Sequence, residues 1–180
     1  MSADVDRPSL ADLLVEYERC LAHTDALWDD LTDEQLSWRP HAQASAIGWH
    51  LGHQAATAHF LVRNLLAAEP LVDPDLDALM DSATPEPARG VLPDRHRLGD
   101  YRATVADRVR FRLGAVDRGE VGAPIQLGSV AAVVLRAIVN HEYQHDQWIA
   151  EVRADALGLA LPDRPRSPLL TTLDGYTILR

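Results

Sequence analysis

Residues 129–157, SVAAVVLRAIVNHEYQHDQWIAEVRADAL, run without a proline or glycine and stop at Gly158, a residue suited to closing a helix. At about 100° per residue, Val134, Ile138, His141, His145, Ile149 and Val152 fall along one stripe of that helix. The stripe has to be buried against other elements, yet two histidines interrupt it. The helix is expected to begin near Gly128 or Ser129, because Gly119, Gly122 and Pro124 end the one before it.

Three more segments read as helices. Leu10, Leu13, Leu14, Tyr17, Leu21, Leu27, Trp28 and Leu31 recur at mostly helical intervals, with Pro8 placed to start the run. After the polar stretch TDEQLSWRPHAQ, broken by Pro40, Ser45 is the expected cap of a second helix, AIGWHLGHQAATAHFLVRNLLAA. Residues 70–97 contain Pro70, Pro74, Pro85, Pro87 and Pro93, which predicts a long connection in which any helix is short. A third helix follows in LGDYRATVADRVRFRLGAVD, with Asp100 as its expected cap and Tyr101, Val105, Val109 and Leu113 spaced along one side. The tail over 161–180, with Pro162, Pro165 and Pro168, is expected to be irregular, and no run shows sustained strand alternation. Four long helices joined by short, long and short connections predict an all-α fold, a four-helix bundle with one long crossover connection. The expected organisation is a single domain over 1–180 with its core in 8–160.

Composition limits the partners. A chain of 180 residues, 47% hydrophobic, can bury one sizeable core. Lys and Arg number 17 against 27 Asp and Glu, a formal charge of −10, so neither nucleic acid nor an anionic membrane is an expected partner. Apolar runs such as VAAVVLRAIV fall short of the roughly 20 residues that span a bilayer. The single cysteine, Cys20, and a start, MSADVDRPSL, with no basic and apolar leader pattern predict a cytoplasmic protein.

The two interrupting histidines belong to H-E-x-x-H, the spacing that puts two metal ligands and a general base on one helix in many metalloproteases. The protease pattern wants a third ligand downstream. No histidine follows His145, and Glu151 and Asp155 continue the same helix. Without the protease frame, Glu142 lies about 100° from His141 around the helix and is expected to face solvent, or to support a ligand ring from behind. The i, i+4 pair remains, because two buried imidazoles stacked one turn apart need partners that a metal ion satisfies together.

A third ligand is sought on the second helix, in SAIGWHLGHQAATAHF. His53 shares a side with Trp49 and Phe60, whereas His59 points elsewhere. His50, within about 60° of His53, could replace it as a ligand or hydrogen-bond to it. His23, His41 and His96 read as surface residues. The candidate metal ligands are therefore His53, His141 and His145. Three neutral imidazoles leave a divalent ion with open positions for water, a thiolate or dioxygen, and they accept iron or zinc, as well as nickel or manganese.

LTDEQLSWRP after the first helix, a histidine late in SAIGWHLGH and H-x-x-x-H on the last helix resemble the DinB-like metal-binding superfamily over roughly residues 8–160. That superfamily includes bacterial thiol-dependent transferases and isomerases. A narrower similarity is to the DinB-like N-terminal domain of the iron-dependent sulfoxide synthases of ergothioneine biosynthesis. Their S-x-x-x-W-x-L-x-H pattern, which ends in an iron ligand, is matched by Ser45, Trp49, Leu51 and His53, and their H-E-x-x-H histidines by His141 and His145. Arg89, Gly90 and Leu92, then Tyr101, Arg102, Val105 and a shifted Asp107, resemble a further shared segment. Those synthases carry a second domain that these 180 residues lack, which implies a separate partner protein or a changed reaction.

The resemblance implies a divalent-metal enzyme acting on a small-molecule substrate, with a low-molecular-weight thiol as co-substrate, in transfer, isomerisation or iron-dependent oxidation. The other reading left open is a non-catalytic metal- or ligand-binding bundle that serves as a stress or partner protein. A homodimer is expected from the same resemblance. Arg89 and Arg102 read as solvated charges, with carboxylate recognition as the alternative, and Tyr143 and Trp148 read as packing residues that flank the ligands.

Overall fold

The computed structural model describes residues 8–65 and 69–180. The last residues expected in the second helix, 66–68, lie outside the described residues, as does most of the N-terminal stretch used for the compartment expectation.

Helix α1 spans Leu10–Trp28. Ser9 rather than Pro8 sets its start: the Ser9 hydroxyl accepts from the Asp12 amide at 3.1 Å, and the Asp12 carboxylate accepts from the Ser9 amide at 2.9 Å. This reciprocal cap satisfies two amides that a helix start leaves without partners. A short helix, α2 (Asp33–Ser37), is capped in the same way by Thr32 and Gln35 and turns the chain at the end of α1.

Helix α3 covers Ile47–Arg63. Its cap is Ala46, without a side-chain hydrogen bond, so the expected capping role of Ser45 does not hold; the Ser45 hydroxyl instead accepts from Arg89 at 3.3 Å. The proline-rich connection contains α4 (Pro74–Leu79), opened by an Asp73 cap and Pro74, and a 3-10 turn over Glu86–Gly90. Its helices are short, as the prolines dictate.

Helix α5 runs over Arg95–Asp117, beginning five residues before the expected Asp100 cap because Asp94 accepts from the Arg97 amide at 2.8 Å. Helix α6 spans Pro124–Glu151. Pro124 opens it instead of ending the previous helix, as proline can in a first turn, where its missing amide costs nothing. A wider π-helical turn, Val152–Ala156, follows, and Gly158 at φ 66° closes the run as expected.

The four long helices form the bundle, and the side-chain contacts give their directions. Leu51 and Gln54 of α3 meet Arg102 of α5, and His59 meets Arg108 further along, so α3 and α5 run parallel. The long connection is therefore a crossover between parallel neighbours. Cys20, Thr24 and Leu27 of α1 meet Val139, Glu142 and Arg153 in turn, so α1 runs parallel to α6 and its π turn. His50 facing His145 and Gln54 facing Glu142 set α3 antiparallel to α6. The core between them is built from Leu13, Tyr17, Leu27, Leu51, Val105, Val109, Leu113, Leu135 and Ile138, none more than 1% exposed.

The tail corrects the expectation of an irregular segment. Strands β1 (Leu170–Leu173) and β2 (Tyr176–Leu179) pair as an antiparallel hairpin. Asp174 and Gly175 both have positive φ, 51° and 89°, the geometry of a tight two-residue hairpin turn favoured by Asp-Gly. That dipeptide was the legible signal. The hairpin docks on α6: the Leu179 side chain is buried, and its amide donates to Asn140 Oδ1 at 2.6 Å. Among the described residues, no helix is long and apolar enough to cross a membrane.

Candidate metal centre

Helices α3 and α6 bring His53, His141 and His145 together. One ring nitrogen from each lies within 4.8 Å of the other two. The ring centroids are 5.1 Å apart for His53 and His141, 5.0 Å for His53 and His145, and 4.4 Å for His141 and His145. Antiparallel packing makes this possible, because the i, i+4 pair on α6 presents two rings on consecutive turns opposite a single ring on α3. His145 is buried, and His53 and His141 are half-buried.

Burial lowers the proton affinity of all three imidazoles. His141 falls to about 4, from burial and then the His53 ring; His145 falls further, from burial and then the rings of His141, His50 and His53. His53 is shifted down by burial, opposed by its bond to Met80. Three neutral rings with inward lone pairs are what a metal ion requires.

The outward nitrogens of two of them, His53 and His145, are engaged. His53 Nδ1 donates to the Met80 carbonyl at 2.7 Å, since a carbonyl only accepts; this leaves the lone pair of a neutral His53 on Nε2. Trp49 stacks on the His53 ring at 4.6 Å with planes 9° apart, and the Arg89 guanidinium lies 4.2 Å over Trp49. Arg89 donates to the carbonyls of Ser82 and Thr84 at 2.9 Å. It is neither a solvated charge nor a free carboxylate contact. The donor set, its neutrality and the locked Nδ1 of His53 all fit a divalent ion.

The Met80 side chain packs directly over position 52, which has no side chain of its own. A Cβ on Gly52 would overlap the Sδ, Cγ and Cε atoms of Met80. Neither Met80 nor Gly52 could be picked from helical spacing, because a main-chain carbonyl carries no sequence signature.

His50 takes neither of its expected roles: it does not replace His53 among the clustered rings, and its ring nitrogen meets His145 across the helix interface, not His53. It stands apart from the triad, with Nδ1 2.8 Å from Nδ1 of His145. Trp148 packs edge-on against His145 at 4.8 Å, as expected of a packing residue. Phe60 is 64% exposed, so it does not share the inward side given to it with His53. His59 does point elsewhere, buried between Asp77 and Arg108. His41 and His96 are exposed, whereas His23 is half-buried against Tyr143 and so is not simply a surface residue.

Glu142 departs most from expectation. It is 1% exposed and faces away from the triad into the core, neither in solvent nor behind a ligand ring. Its carboxyl lies 3.7 Å from Arg102 Nη2 and 3.5 Å from Thr24 Oγ1. Burial pushes it up to about 7, with Arg102 opposing, and burial together with Glu142 holds Asp146 well above the usual carboxylate range. Gln54 donates to Asp146 Oδ1 at 2.9 Å and to the Glu142 carbonyl at 3.0 Å. Arg102 donates to the Leu51 carbonyl at 2.6 Å and to Gln54 Oε1 at 3.1 Å. Arg102 is therefore buried, not solvated. Helical spacing places Glu142 off the histidine stripe, but it cannot show that a second buried surface lies there.

A family model for the DinB superfamily matches residues 16–149, which include all three histidines and most of the four long helices. The chain belongs to the DinB superfamily. A search of curated proteins found no match.

Proposed function

We propose that this member of the DinB superfamily is a metal-dependent enzyme of small-molecule thiol or sulfur metabolism, with His53, His141 and His145 as the metal ligands. The observation that supports it best is the convergence of three neutral imidazoles from two helices within 4.8 Å. A divalent ion held there, iron or zinc by the donor set, supplies Lewis acidity that lowers the pKa of a thiol and leaves positions open to substrate.

The chain's own residues do the rest. Met80 and Trp49 fix the plane and tautomer of His53. Trp148 covers one edge of His145 and keeps water from that side. A groove of about 460 Å³, lined by His53, Thr57, Phe60, Leu71, Met80 and Asp81 among others, adjoins the α3 ligand and offers space for the body of a small substrate. Its mixed apolar and polar lining suits a molecule of amino-acid or small-thiol size.

The test begins with protein purified without chelator. Wild type carries about one divalent ion per chain, and His53→Ala and His145→Ala each lose it; metal content unchanged in either variant overturns the ligand set. Anaerobic iron loading followed by oxygen-consumption assays with thiols, against zinc loading followed by transfer and isomerisation assays, then separates the two chemistries. Stoichiometric metal with no thiol-dependent turnover under any loading favours a non-catalytic binding bundle.

A further inference from the structure

We infer that His50 is a positioning residue for the metal centre: it accepts a hydrogen bond from Nδ1–H of His145 and so keeps the lone pair of His145 on Nε2, facing His53 and His141. The inference rests on the metal reading above. It starts from an unusual contact, two histidine Nδ1 atoms 2.8 Å apart. At that distance one nitrogen carries the proton and the other the lone pair, because two lone pairs or two protons would repel. Only one direction serves a ligand. If His50 donated, His145 would have its proton on Nε2 and nothing to offer a metal; if His145 donates, its Nε2 is free.

The surroundings favour a strong, fixed bond. His50 is 9% exposed and His145 5% exposed. Trp49 meets the His50 ring at 5.6 Å, and Trp148 meets it at 5.6 Å from α6 while also packing on His145. Two indoles thus exclude water, which would otherwise compete for both ring nitrogens. Position 50 also gives α3 two parts in the same centre. His53, one turn on, sends its proton outward to a carbonyl, and His50 receives the proton of the ring across the helix interface. Outer partners of this kind raise ligand basicity and restrict ring rotation.

The test uses zinc and three proteins: wild type, His50→Leu and His50→Asn. Leucine fills the space without an acceptor, whereas the asparagine Oδ1 lies close to where the histidine Nδ1 was. Zinc affinity, by competition with a chelating indicator, falls about 10- to 100-fold in His50→Leu and recovers most of that loss in His50→Asn. X-ray absorption of the cobalt-loaded proteins counts three imidazoles in both wild type and His50→Leu. In the metal-free wild type, long-range ¹H–¹⁵N correlation shows a neutral His145 with its proton on Nδ1, and His50→Leu loses that preference, a change that a purely packing role for His50 would not produce. Unchanged affinity in His50→Leu, or no recovery in His50→Asn, overturns the inference. So does the loss of one imidazole in His50→Leu, which would make His50 a ligand. If wild type binds no zinc or cobalt, the metal reading falls and takes this one with it; if wild type binds and His50→Leu is silent, only this one falls.

Discussion

Helix α6 carries two polar clusters on neighbouring residues, and they are built to opposite ends. His141 and His145 face α3, with inward nitrogens that no protein donor among the described residues satisfies. Glu142 and Asp146, each one residue further along, face Thr24, Gln54 and Arg102 and are bonded within that set. The first cluster leaves lone pairs facing one another, which is an arrangement for a ligand. The second closes on itself inside the core, which is an arrangement for holding α1, α3, α5 and α6 in one register. H-E-x-x-H-D in a bundle is thus two interleaved motifs, one for binding and one for assembly.

Substitutions should separate them. The largest effect is expected from His141→Ala, which loses more than the roughly 10- to 100-fold affinity attached to an outer partner, while the urea midpoint of the metal-free protein moves little. Metal analysis and denaturation of the same samples would show it, and a large fall in metal-free stability would erase the distinction. Arg102→Leu should do the reverse. It leaves the Leu51 carbonyl and Gln54 Oε1 without a donor and Glu142 without its counter-charge, at a cost of about 3–5 kcal/mol, with metal per folded molecule unchanged. The double variant Arg102→Leu, Glu142→Leu should regain part of that loss, because no buried charge is then left alone.

Gly52→Ala should touch both clusters in smaller measure. The buried Met80 side chain must shift away from the new methyl, an overpacking cost of about 1–3 kcal/mol, and zinc binding through His53 weakens to the extent that the shift reaches the Met80 carbonyl. Wild-type zinc affinity in this variant would show that the Met80 side chain gives way without moving its carbonyl. The smallest effect is expected at Asp30, whose bonds to Arg153 at 2.6 and 2.8 Å keep its carboxyl below the usual range. Asp30 is largely exposed, so Asp30→Asn should cost less than about 1 kcal/mol despite the good geometry. Because the folded pKa is the lower one, the contribution is present above the unfolded value near ~4 and fades as pH falls through the folded value. Denaturation at pH 7 and pH 3 should therefore show the two proteins converging.

The bundle and the convergence of the three histidines were legible because both rest on helical periodicity. The stripe containing Ile138, His145 and Ile149 is buried, and one inward histidine on the second helix completes the set. What periodicity could not show is which other face of a helix is also covered. Glu142 and Arg102 look solvated in isolation because a charge at the side of one apolar stripe usually is, and only the four-helix arrangement puts them in a second buried surface. The helix starts were misplaced for a local reason. Asp94 and Asp100 are equally good caps by type, and the choice between them depends on where the connection delivers the chain. In the tail, the prolines govern the stretch up to Pro168 and the Asp174-Gly175 pair governs the hairpin beyond it.

The contact between Gly52 and Met80 also bears on where this fold tolerates change. Residues beyond Met80 also return to the helix surface, where Arg89 lies over Trp49 and donates to Ser45, so a loop lengthened between 82 and 89 would draw the guanidinium off the indole that stacks on His53. A single insertion between Pro74 and Met80 would rotate α4 by a fraction of a turn and carry the carbonyl away from His53. The crossover therefore works as a gauge as well as a tether. Its first half bears on His53 through the Met80 carbonyl and its second half through Arg89 over Trp49, so its length is constrained on both sides of Met80.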